Sequence, residues 1–118
     1  MRRDVLSRRD HSGEDLSGAK LHDLNLAGMV FRDANLRGTD LTVCNLIGAD
    51  LSGADLRAAF LTGVQMNGAN LRGADLTGAY VLAADFGDAD MDEAILHRVV
   101  YDQATTWPSL VRPPHPSR

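Results

Sequence analysis

The chain has one cysteine, one lysine and one tryptophan in 118 residues, and only 5% aromatic residues. A lone Cys44 excludes a disulfide framework or a paired-thiol metal site within one chain. No apolar run reaches the length of a membrane span, and the arginines at 2 and 3 are not followed by a hydrophobic region. The four histidines are scattered, with no i,i+4 pair and no Cys/His spacing that would bind zinc. GADLSGADL lacks the GK[ST] of a phosphate loop, and the corner residues Ser17, Ser52, Thr62 and Thr77 have no base set against them. These absences point away from an enzyme and from any cofactor or metal. They leave a soluble protein of a reducing cytoplasm as the simplest expectation.

Charge excludes a further class. Twelve basic residues against sixteen acidic ones give −4, which argues against direct nucleic-acid binding. The balance is uneven: residues 14–98 hold 13 acidic and 6 basic side chains, whereas the first 13 residues hold four arginines and two aspartates. One lysine against eleven arginines, with abundant Ala and Gly, suggests a GC-rich bacterial genome.

What the chain does have is a phrase. GADLSGADL at 48–56 returns as GANLRGADLTGAY at 68–80. Stepping by five from Leu16 to Leu96 meets 17 apolar residues without exception: twelve Leu, plus Phe31, Met66, Val81, Phe86 and Met91. At 44% apolar content this register arises by chance roughly once in a million. Two places before each of these central slots Ala occurs eleven times; one place before, Asp or Asn occurs eleven times; two places after, Gly occurs nine times.

A period of five suits neither regular element. On an α-helix it winds the leucines around every face, and in a continuous strand it alternates them between faces. A short extended segment followed by a turn buries the set. The small residue and Leu point inward, the Asp or Asn between them points out, and Gly takes the corner.

Tandem A-(D/N)-L-x-x over residues 14–98 resembles the pentapeptide-repeat family. The resemblance implies an all-β fold, a right-handed quadrilateral β-helix with four pentapeptides per coil. About four coils at the ~4.8 Å strand spacing make a rod roughly 20 Å long. Residues 1–13 are expected to be an N-terminal cap or arm, with His11 in a central slot where the repeat fades. YDQATTWP opens a C-terminal capping segment, 99–112, in which Trp107 could plug the last coil. Residues 113–118 read as a disordered tail.

With 20 residues per coil, residues 20 apart share a wall. Phe60 and Tyr80 fall one above the other in an outward slot where Asp or Asn is usual, and Val43 and Leu82 belong to that wall or its corner. These four form a candidate partner face, for another protein or for a second copy in a homodimer. A capping segment folded over them is the competing expectation. Asn25, Asn45, Gln65 and Asp85 form a second outward column whose amides could bond along it. Cys44 takes an inward small-residue slot.

The sharpest charge feature is DFGDADMDE, which puts Asp85, Asp88, Asp90, Asp92 and Glu93 in nine residues, with Asp55 and Asp75 as a second patch. The resemblance gives this patch a meaning, because some relatives are acidic rods that mimic DNA. They bind DNA gyrase or topoisomerase IV and protect it from fluoroquinolone-type antibiotics. Against it stand a rod matching only about six base pairs and the lack of a projecting loop or a helical C-terminal element. A non-enzymatic interaction scaffold is therefore the first expectation and the mimic the alternative.

Overall fold

A computed structural model describes residues 5–113. Arg2 and Arg3 of the expected arm, and His115 and the rest of the tail beyond Pro113, lie outside them. The local unit is a five-residue corner. In residues 51–54, the amide of Ala54 donates to the carbonyl of Leu51 at 3.1 Å, closing a β-turn. The third residue of such a turn adopts positive φ when the turn is type II. Here that residue is Gly53, at φ +67. The same corner recurs every five residues, with positive φ at each third position from Gly13 to Arg98.

Between corners the chain is extended for a single residue, so among the described residues the sheet consists of isolated parallel bridges and no longer strand. Every bridge but the last joins residue i to residue i+20: Asp15 to Asn35, Asn35 to Asp55, Asp55 to Asp75, Asp75 to Ile95. Four such columns run side by side, starting at Asp10, Asp15, Lys20 and Asn25. The chain is thus a β-helix of 20-residue coils with four walls. Hydrogen bonds from coil to coil hold the walls; Leu51, for example, donates to Asn70, and Asn70 to Ala49.

The core is one continuous column of side chains. From Leu21 to Phe86 every central residue is at most 1% exposed, and Ala34, Cys44, Ala49, Ala54 and Val64 fill the space beside them. Where the small slot carries a polar group, it finds a partner. Thr39 Oγ1 donates to the Leu16 carbonyl at 2.9 Å, and Cys44 Sγ lies 2.9 Å from the Leu21 carbonyl. Cys44 is a fully buried thiol.

The ladder extends past residues 14–98 at both ends. It begins at Asp10, and its last rung, Asp85 to Thr106, spans 21 residues instead of 20. The extra residue lies between Val100 and the turn that Thr105 closes on Asp102, and it displaces the motif by one place. The sequence period therefore fades although the coil continues. Each end is closed by a ring stacked on a ring one coil inward: His11 on Phe31 at 5.4 Å, and Trp107 on Phe86 at 5.3 Å. Tyr101 meets Trp107 edge-on, and Val5 covers the other end.

Leu51 is fully buried at mid-rod, with packed coils above and below. Leu51→Ala is expected to cost about 2–5 kcal/mol, measured by chemical denaturation. Leu51→Asp should prevent folding, because its carboxylate would have no partner in the core. Loss of the β circular-dichroism signal would mark that outcome.

Candidate interaction surfaces

Outward residues are set by the bridges, one per wall per coil. On the third wall the column reads Lys20, Asp40, Phe60, Tyr80, Val100. The Phe60 and Tyr80 rings stack with centroids 5.2 Å apart and planes 5° from parallel, and they stay 44% and 39% exposed. The capping segment does not lie over them. Val100 continues the apolar column upward; the same step of 20 that pairs Phe60 with Tyr80 also reaches it.

Val43 and Leu82 occupy the corner that follows this wall. Val43 is 57% exposed and Leu82 half-buried. They do not touch the same spot. Val43 donates its amide to Thr62 and Gly63 donates to Leu82, so one coil separates them. The face is thus a stacked aromatic pair with apolar residues along its edge.

Val43 also carries backbone strain. Its φ is +60, a conformation that costs an L-residue roughly 1–2 kcal/mol and is rarest for β-branched side chains. Glycine could relieve that strain, as Gly63 does one coil later. At Gly53 a side chain would meet a neighbour as well as the strained φ. Besides its positive φ, an added Cβ would lie 2.2 Å from an Asp33 carboxylate oxygen.

The outward Asp and Asn residues have a structural task. Their Oδ1 atoms accept the amide two residues ahead, at the start of the next turn: Asp50 from Ser52 at 3.0 Å, Asn45 from Ile47 at 3.0 Å, Asp85 from Gly87 at 2.9 Å. Where that residue is Ser or Thr, its hydroxyl donates to the same oxygen, as Thr77 does to Asp75 at 2.6 Å. This local capping explains the Asp/Asn preference in every column. In the column of Asn25, Asn45, Gln65 and Asp85, three of the four side chains are engaged in it.

The seven acidic candidates divide between walls. Asp55 and Asp75 share one column, where Arg57 grips Asp55 at 2.9 and 2.6 Å and lies 3.9 Å from Asp75. The hydrogen bonds from Arg57 hold the Asp55 carboxyl below its usual range, and the same contact raises Arg57. Asp85 lies on the fourth wall and Asp90 on the first, with Asp88 at the corner between them. Asp92 and Glu93, at the next corner, both face Arg72, at 3.4 and 3.2 Å. The run 85–93 therefore turns around two corners, and two of its five carboxylates are partly neutralised. A cavity of about 280 Å³ lies between Asp88–Asp92 and Pro108–Val111. No helix among the described residues is long and apolar enough to cross a membrane.

Against known proteins, the family model for pentapeptide repeats matches in eight copies, over residues 15–46, 44–80 and 69–99. The chain belongs to the pentapeptide-repeat family. It is similar to alr5209, a pentapeptide repeat protein of Nostoc PCC 7120, with 29% identity over 92% of this chain and 81% of that one, at a TM-score of 0.52. It is also similar to the pentapeptide repeat protein Rfr23 of the cyanobacterium Cyanothece 51142, with 30% identity over 79% of this chain and a TM-score of 0.46. The match spans 63% of the Cyanothece protein's length. QnrB1, a plasmid-mediated fluoroquinolone resistance protein, matches at 21% identity over 80% of this chain and 77% of that one, with a TM-score of 0.29. At that level the likeness carries no functional argument. No curated protein sequence matches the chain.

Val43→Gly should leave the circular-dichroism spectrum unchanged and raise stability by about 1 kcal/mol, since glycine adopts the left-handed corner freely. Equilibrium urea unfolding measures it. A loss of stability would mean that the valine contributes packing that outweighs its strain.

Proposed function

We propose that this chain is a non-enzymatic scaffold that binds another protein through the wall of Phe60 and Tyr80, with Val43 and Leu82 at its edge. The observation that carries this reading is the exposed aromatic stack in a slot that mostly holds turn-capping Asp and Asn. Neither ring caps a turn or fills the core. The site fits a partner that presents apolar or aromatic side chains to a flat face, and a second copy in a homodimer is the simplest such partner. The rod supporting it is read as a right-handed quadrilateral β-helix of about four coils. Residues before 14 and after 98 act as its covers, which the end-stacked His11 and Trp107 support. The compartment we propose is a bacterial cytoplasm.

The test is Phe60→Asp combined with Tyr80→Asp. Both positions point outward, so the fold should persist by circular dichroism. Capture of partners from the native host, and any self-association in sedimentation, should be lost. A double variant that binds like the parent removes the wall from consideration.

The second reading is an acidic DNA mimic acting on gyrase or topoisomerase IV, with Asp85, Asp88, Asp90, Asp92 and Glu93 as its leading patch and Asp55 and Asp75 as the second. Its support is the concentration of carboxylates at one end of the rod, and binding of that kind weakens steeply with salt. In a gyrase supercoiling assay at low salt, it requires inhibition or relief of fluoroquinolone poisoning. Changing the five carboxylates to Asn and Gln should then remove the effect. Folded protein in excess with no effect on either enzyme leaves the scaffold alone.

A further inference from the structure

The carboxyl end of the ladder leaves a rung open on the wall of Asp50, Asn70 and Asp90. One coil lower on that wall, three hydrogen bonds fill the rung. The Asp90 amide donates to the Ala69 carbonyl at 2.9 Å, the Asp90 carbonyl accepts from Leu71 at 2.7 Å, and Gly73 donates to Asp92 at 2.9 Å. The equivalent groups one coil higher are the Ala89 carbonyl and the amides of Met91 and Glu93. None of them has a partner among the described residues.

The chain returns over this edge without filling it. Thr106 pairs with Asp85 on the previous wall, donating to Ala84 and accepting from Phe86, both at 2.8 Å. Five residues further on, Val111 falls where a rung on Asp90 belongs. Its amide goes instead to the Pro108 carbonyl at 3.0 Å. Residues 108–111 therefore stand off from residues 88–92, and the cavity of about 280 Å³ takes the place of the rung. Met91 and Leu110 give it an apolar lining, and Leu110 is 96% exposed. Asp88, Asp90 and Asp92 also line it. Asp92 faces Arg72, whereas Asp88 and Asp90 form no ion pair among the described residues.

We propose that this cavity is a second binding site, which takes an extended peptide carrying one arginine or lysine beside an apolar residue. The backbone selects the conformation. A residue laid on Asp90 donates its amide to Ala89 and accepts from Met91, and the carbonyl two places on accepts from Glu93; an extended chain supplies these groups at that spacing. The wall selects the side chains. The bridged residue points outward and its neighbours inward, as Ala89 and Met91 flank Asp90. The outward side chain lies beside Asp88 and Asp90, which suits a cation, and the next one covers Met91, which suits a leucine or valine. Phe60 and Tyr80 lie on a different wall, so this site is independent of the scaffold surface.

The probe is an acetylated and amidated peptide, Thr-Ala-Arg-Leu-Thr-Gly, added in excess to the full chain. Hydrogen exchange at the Met91 and Glu93 amides, followed by NMR, should slow by about tenfold, the worth of one hydrogen bond. The Leu51 amide, bonded to Asn70 at mid-rod, should not change. Methylating the peptide's arginine amide removes the donor for Ala89 and should abolish the effect. Asp88→Asn with Asp90→Asn should weaken binding by about threefold to tenfold, the worth of two exposed ion pairs, and flatten its salt dependence. The variant keeps the fold, because Asn45 caps its turn as Asp90 does and asparagine tolerates the positive φ of Asp88. No change at Met91 and Glu93, equal binding of the methylated peptide, or equal binding by the double variant would each overturn the proposal. So would amides already protected in the protein alone: protection that grows with protein concentration puts a second copy in the rung, and constant protection puts the chain's own segment there.

Discussion

One hydrogen bond, repeated at nearly every corner, governs the rest of the molecule. The amide of the small inward residue closes onto the carbonyl of the central residue three places earlier, as Ala69 does on Met66 at 3.0 Å. That closure drives the third residue of the turn to positive φ, turns the chain through one corner and brings the next central side chain back to the axis. Four corners return the backbone to a position above its start. There the coil-to-coil bonds of 2.7–3.1 Å form without any strand longer than one residue. The leucine column and the outward columns both follow from this corner.

The sequence discloses the parts of this arrangement that depend on side-chain burial. The central Leu slots, the inward placement of Cys44 and the stacking of Phe60 on Tyr80 all follow from a period of five and a coil of twenty. The capping of turns by Asp and Asn was less visible. Those residues stand out by their frequency, but a hydrogen bond to an amide two places ahead is a matter of geometry. Eight corners carry a non-glycine residue at positive φ, Val43 and Arg98 among them, and nothing in their side chains announces it. The coil around 101–106 was hidden for a different reason: one inserted residue breaks the count without breaking the ladder.

The two ends use a common device on unlike residues. A ring stacked one coil inward seals the core, and the chain then departs from the axis. At the carboxyl end the fastening is Asp102, whose Oδ1 accepts from the amides of Ala83, Ala104 and Thr105 at 3.0–3.1 Å. These bonds, that to Ala83 foremost, hold its carboxyl below the usual range. At the amino end the fastening is His11, whose Nε2 lies 2.7 Å from the Val5 carbonyl oxygen and whose Nδ1 lies 2.8 Å from Glu14 Oε2.

The 20-residue coil also constrains how such a chain can change length during evolution. Adding one pentapeptide anywhere in the body keeps each leucine on the axis, so the core accepts it. Every outward residue beyond the insertion, however, moves around the rod by a quarter turn. An insertion between Phe60 and Tyr80 would leave a folded protein with its two rings on adjacent walls. A whole coil inserted there would keep them on one wall but no longer in contact. Core and surface thus obey different arithmetic: the core counts in fives, whereas an aromatic stack survives only where the spacing between its rings is left at one coil.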